Sequence, residues 1–137
     1  MTSFADLTTI GVGGPIAIFL EPTSRVGVIE AVEDADAKGL PLCVIGGGSN
    51  MLVADTPFNG WSFATHASIN VLDEAAPVEN GERIVHVNAE AGCNWDDFVD
   101  FCVELGLEGV EGLSGIPGTV GASVVQNIGA YGAEISE

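Results

Sequence analysis

Residues 112–132, GLSGIPGTVGASVVQNIGAYG, carry no charged side chain, in a chain that otherwise sets 20 carboxylates against three basic residues. Gly112, Gly115, Gly118, Gly121, Gly129 and Gly132 recur through the stretch, and Pro117 locks one turn. Glycine loses more conformational freedom on folding than any other residue, so six of them belong only where the backbone needs φ > 0 or a close approach. After Pro117, TVGASVVQ can open a helix with Thr119 as its N-cap. Free N–H groups at such a start, with the helix dipole behind them, make an anion site that needs no basic side chain. The plainer alternative is a tight, turn-rich core segment. At about 20 residues the stretch is long enough to span a bilayer, but Pro117, Gln126, Asn127 and the glycines would make a very poor membrane helix.

The rest of the composition narrows the function. At 137 residues with 47% apolar content, the chain has one domain's worth of length, enough for a real core, and does not resemble a disordered segment. A net charge of −17 repels phosphate backbones and anionic lipid, so neither nucleic acid nor a membrane surface is an expected partner. The acidity is spread along the chain and reads as a solvated face. The opening MTSFADLTT lacks the basic and apolar parts of a secretory signal, so the expected location is cytoplasmic. Cys43, Cys93 and Cys102 show no CxxC spacing and read as small buried apolar residues; His66 and His86 are isolated, and no metal site is expected.

Taken in order, LTTIGVGGP forms a turn that feeds a strand at Ile16 to Leu20, closed by Pro22. Thr23 or Ser24 caps a helix from Arg25 to Lys38 with Val28, Ile29, Val32 and Ala35 on its apolar face, and Gly39 ends it. Leu42 to Ile45 reads as a buried strand, Gly46 to Asn50 as a glycine loop, and Met51 to Val53 as a further short strand. The order strand, helix, strand predicts a parallel pair with a right-handed crossover, and places the glycine loop at the carboxyl end of the second strand, where α/β sheets bind ligands. The loop is followed by a strand rather than a helix, so it is not a dinucleotide fingerprint, and no GxxxxGK[ST] loop is present.

From Asn59 the pattern changes. Trp61 to Ala64 and Arg83 to Ala89 read as strands, the latter with His86 on one face, separated by an exposed turn tightest at Asn80-Gly81. Asn94 caps a helix from Trp95 to Leu105 with Trp95, Phe98, Val99 and Cys102 facing inward and Gly106 beyond its end. Asp96 and Asp97 suit the dipole of that helix; a general acid–base pair among Asp96, Asp97 and Asp100 is the enzymatic alternative. The ending YGAEISE, without a closing strand or a polar tail, reads as that of a fragment.

LTTIGVGGP, VIGGGSNMLVAD, AEAGCNWDDFV and GLEGVEGLSGIPGTVGASVVQNIGAYGAE, in this order and at these distances, closely resemble the amino-terminal part of the MurB family of flavin-dependent reductases. The resemblance implies an α+β FAD-binding domain of the vanillyl-alcohol-oxidase/PCMH type: a small βαβ-containing subdomain over 1–57, the first part of a truncated antiparallel-sheet subdomain over 58–137, FAD between the two, and a carboxy-terminal substrate domain absent from these residues. It implies further that Ile45, Gly46, Gly47, Gly48, Ser49 and Asn50 wrap the FAD pyrophosphate with Leu52 beside them. Ser114, Gly115, Ile116, Pro117, Gly118, Gly121 and Ala122 would follow the other side of the cofactor, with Gln126, Asn127, Gly129, Ala130 and Tyr131 near the flavin or the substrate. The FAD is non-covalent in this family.

In the complete family enzyme NADPH reduces FAD, which passes hydride to the enolpyruvyl double bond of a UDP-sugar on the way to peptidoglycan. The family draws its acid and enol-stabilising groups from a serine, an arginine and a glutamate in later segments, so no catalytic residue is assigned here and the chain alone is expected to be inactive. Two other functions are alternatives: a stand-alone module that binds FAD or another nucleotide, which shares all of these motifs, and a flavin oxidase of the same fold acting on a small alcohol or hydroxy acid, against which the order SGIPGTVGA then QNIGAYG argues. An incomplete sheet would also leave strand edges that favour self-association.

Overall fold

The computed structural model describes residues 1–63, 69–71, 78–79 and 81–136, and the chain divides into two compact units, Met1–His66 and Ala67–Glu137. Ala64, His66, residues 73–77 and Asn80, which figure in the sequence expectations, lie outside the described residues. No helix among those described is long and apolar enough to cross a membrane.

The first unit opens with a short helix α1 (Phe4–Leu7), followed by strand β1 (Ile16–Leu20), helix α2 (Arg25–Ala37), strand β2 (Leu42–Val44) and strand β3 (Phe58–Phe63). α1 was not legible as a helix, although Ser3-x-x-Asp6 carries a capping signal: the Asp6 carboxylate accepts from the Ser3 amide at 2.9 Å and from its hydroxyl at 2.6 Å. The α2 helix forms where its caps predict it, with the Ser24 hydroxyl accepting from the Gly27 amide and Gly39 left-handed beyond the end.

The three strands form one parallel sheet in the order β1-β3-β2. This corrects two expectations. The β1 and β2 strands are parallel but not neighbours, because β3 lies between them; and Met51 to Val53 is not a strand, the Met51 and Val53 side chains packing on the core beside the sheet instead of joining it. With β3 at its centre, the sheet carries the first unit past the boundary expected at 57/58. On one face Ala31 and Ala35 of α2 meet Trp61, with Leu20, Val28 and Leu40 around them. The bulk of Trp61 explains why the small residues face inward, while Ile29 and Val32, expected on the buried face, are 47% and 40% exposed. On the other face Phe4, Ile16 and Ile45 form a second core with Phe19, Cys43 and Phe58. As an edge strand β2 is buried on one side only, and Val44 is exposed.

Among its described residues the second unit has three two-stranded antiparallel ladders, β4 (Ile69–Val71) with β7 (Val87–Ala89), β5 (Val78–Glu79) with β6 (Glu82–Arg83), and β8 (Gly129–Ala130) with β9 (Ala133–Glu134). The strand expected over Arg83 to Ala89 is therefore broken, and His86 sits exposed between β6 and β7. Helices α3 (Trp95–Glu104) and α4 (Val120–Gln126) flank a 3₁₀ turn (Glu111–Leu113). Trp95, Val99, Leu113 and Ile128 form the core, with Phe98, Ile116 and Val120 packed on it. The inward face of α3 is the expected one, and the Asn94 side chain accepts from the Asp96 and Asp97 amides.

Candidate functional site

The glycine loop of the first unit leaves β2 at Ile45, which is buried, and runs through Gly46, Gly47, Gly48, Ser49 and Asn50 to Leu52, which is 79% exposed. Gly48 has φ +66°, and a Cβ there would lie 1.9 Å from the Leu7 carbonyl oxygen. No side chain fits, so the loop lies directly on the end of α1, with the Thr9 amide donating to the Gly48 carbonyl at 3.0 Å. The LTTIGVGGP turn is fastened in the same way: Gly13 N–H donates to Asp55 Oδ1 at 3.1 Å and Gly14 N–H to the Ala54 carbonyl at 2.9 Å. Two motifs distant in sequence are thus one packed substructure. The amides of Gly46, Gly47, Gly48 and Asn50 have no acceptor among the described residues. Backbone N–H groups left over in a glycine turn at the carboxyl end of a strand are what a diphosphate needs when few cations are at hand.

In the second unit the glycine segment is held along its length by the chain just before and at the start of α3. Trp95 Nε1–H, buried, donates to the Leu113 carbonyl at 2.8 Å, and the Trp95 amide donates to the Gly118 carbonyl at 3.1 Å. Asp96 Oδ1 accepts from Ser114 Oγ at 2.9 Å and from the Gly115 amide at 2.7 Å. These two bonds hold the Asp96 carboxyl below its ordinary value, the Gly115 amide being the larger cause. A pKa lowered in this way keeps the carboxyl ionised, which opposes the general-acid role considered for this group.

Thr119 caps α4 as expected, its hydroxyl oxygen accepting from the Ala122 amide at 3.4 Å. The expectation of a free anion site at that helix start is overturned. Val120 N–H donates to the Cys93 carbonyl at 2.9 Å and Gly121 N–H to the Ala91 carbonyl at 2.8 Å, so the first-turn donors are already satisfied. Gly121 is glycine for the same reason: a Cβ would stand 2.7 Å from that of Ala91. The segment still exposes Ser114, Gly115 and Pro117.

At the end of α4, Gln126 is exposed and Asn127 adopts φ 49° as the C-cap, its side-chain amide donating to Glu134 Oε2 at 3.0 Å. Gly129 and Ala130 form β8, and the β8–β9 turn carries Tyr131 at φ 53° and Gly132 at φ 88°, with the Tyr131 side chain 98% exposed. Cys43, Cys93 and Cys102 are in no disulfide, and burial pushes their thiols up, away from the reactive thiolate. Sequence reasoning missed the holding role of Trp95 and Asp96; the spacing to the glycine segment gives no sign of it.

The FAD binding domain family matches residues 15–137. The chain is 47% identical to a UDP-N-acetylenolpyruvoylglucosamine reductase from Thermobifida fusca, over 97% of its own length and 36% of that protein, and 44% identical to one from Corynebacterium diphtheriae, over 98% and 34%. Its fold is similar to that of the crystal structure of UDP-N-acetylenolpyruvylglucosamine reductase (MurB) from Thermus caldophilus, with a TM-score of 0.68 at 29% identity over 97% of this chain and 43% of that one. The chain therefore spans about a third of the length of these curated relatives. It belongs to the FAD binding domain family, as a homologue of the amino-terminal FAD-binding domain of the MurB reductases.

Proposed function

We propose that this chain binds FAD non-covalently as the cofactor-holding part of an NADPH-dependent reductase that converts UDP-N-acetylenolpyruvoylglucosamine into UDP-N-acetylmuramate, a cytoplasmic step toward peptidoglycan. The observation that carries the reading is the set of amides at Gly46, Gly47, Gly48 and Asn50 that have no acceptor among the described residues, in a chain with only Arg25, Lys38 and Arg83 as basic side chains. Lys38 is itself paired with Asp34 and lies over the Trp61 ring.

The residues fit the cofactor. Gly46 to Asn50 would take the diphosphate through backbone N–H groups, as a glycine nest does, with the exposed Leu52 against an apolar part of the molecule. Ser114 to Gly118 would offer a preformed backbone surface, held by Trp95 and Asp96, to another part of it. Bound FAD supplies the capacity to accept and deliver hydride. Gln126, Asn127 and the β8–β9 turn remain the candidates for the flavin or substrate side. The proton and the enol-stabilising group are assigned to residues outside these 137, so the chain alone binds cofactor without completing the reaction.

The test is an absorption spectrum of the purified chain with and without FAD, followed by NADPH consumption with the UDP-sugar present. Binding with a protein-perturbed flavin band and no turnover is expected. Turnover at an ordinary enzyme rate would contradict the assignment of the acid elsewhere, and a folded chain that leaves the flavin band unchanged would contradict the cofactor reading.

A further inference from the structure

We infer that Asp96 is a positioning residue for the cofactor surface: from the first turn of α3 its single oxygen Oδ1 holds both Ser114 and Gly115, fixing the open end of the glycine segment that the FAD reading, on which this inference rests, places against the cofactor. The segment has anchors of unequal kind. Leu113, at its start, is buried and held through its carbonyl by Trp95, and Gly118 and Thr119 are tied to Trp95 and Asn94 through backbone groups that no side-chain change removes. Between them Ser114 and Gly115 are exposed, and Gly115 sits at φ +78°. Asp96 is the only side chain among the described residues that bonds to this part, and it does so through a charged acceptor, the stronger kind of hydrogen bond.

Among the described residues no other titratable group bonds to these donors. Of the elements packed against α3, α4 carries none, and the 3₁₀ turn carries Glu111, whose carboxylate accepts from the Gly109 amide instead. On α3 itself, it is Asp96 and not Asp97 or Asp100 that accepts from Ser114 and Gly115. The geometry needs an acceptor at Oδ1 and not a charge as such, so asparagine should replace aspartate better than alanine does.

Two readouts on Asp96→Ala and Asp96→Asn test this. Flavin fluorescence titration is expected to show FAD bound on the order of tenfold more weakly by D96A and within a few-fold of wild type by D96N, whereas a role in stability alone would lower the melting temperature of D96A and leave affinity at saturating folding conditions unchanged. The second readout needs no cofactor: exchange of the Gly115 amide proton is expected to accelerate in D96A and to return toward wild type in D96N. Equal FAD affinity in wild type and D96A, or equal Gly115 exchange in both, would overturn the inference. Should wild type bind no FAD while Gly115 exchange responds as stated, the cofactor reading would fail and the holding role of Asp96 would stand.

Discussion

Gly48 shows how much one missing methyl group matters. Its left-handed backbone and the Leu7 carbonyl oxygen 1.9 Å from any Cβ act on the same atom, so Gly48→Ala combines backbone strain with a steric clash. We expect a loss of roughly 2–5 kcal/mol of stability, seen as a lowered urea midpoint; an unchanged midpoint would show that the loop does not rest on α1. Acidity acts at the same scale. The carboxyls of Asp6, Asp96 and Glu111 are held below their ordinary values by hydrogen bonds from Ser3 (its side chain foremost), from Gly115 and Ser114, and from the Glu111 and Gly109 backbone amides. A carboxyl with a lowered folded pKa stabilises the protein above its unfolded pKa, and that stability disappears as pH falls through the folded value. Stability is therefore expected to fall below about pH 4, and the difference between wild type and D96N in urea midpoint to shrink over the same range. A constant difference down to pH 2 would contradict the Asp96 share.

At the scale of elements, the β8–β9 turn stores strain in a residue poorly suited to it. Both central positions have positive φ, which Gly132 accepts and Tyr131 does not, and the Tyr131 side chain gains no burial in return. Tyr131→Asn is expected to raise stability by roughly 1 kcal/mol, read as a higher melting temperature in the absence of cofactor; a lower one would mean that the ring has a packing role. The elements differ in how far they could be read from sequence. The β1 strand, α2, α3 and α4 announce themselves because their caps and turn residues are local: Ser24, Asn94 and Thr119 each satisfy amides two or three residues away. The insertion of β3 between β1 and β2 has no local signal, since parallel neighbours are chosen by packing across the sheet. Likewise, the glycine positions of the candidate site were legible, but not which amides stay open. That depends on Ala91 and Cys93, whose carbonyls lie far up the chain from the helix start they satisfy.

At the scale of the whole molecule, charge is the dominant fact. A chain of net charge −17 repels an anionic cofactor at long range, and the proposed contacts are backbone dipoles with no countercharge to be screened. Salt shortens the reach of that repulsion from about 30 Å at 0.01 M to about 10 Å at 0.1 M. FAD affinity is accordingly expected to rise as ionic strength increases over this range; affinity that falls with salt would point to a cationic contact at Arg25 or Arg83 instead. The two units also differ in which backbone donors they leave open. In the first, four amides of the glycine loop remain without an acceptor among the described residues, whereas in the second the helix start that most resembles an anion site has already used its donors. The amide chemical shifts of the isotope-labelled chain during titration with FAD test this division most directly. The account predicts large, saturable changes at Gly46, Gly47, Gly48 and Asn50, and small ones at Val120 and Gly121. Shifts confined to Val120 and Gly121, or no change at the Gly46 to Asn50 loop in a folded chain, would contradict it.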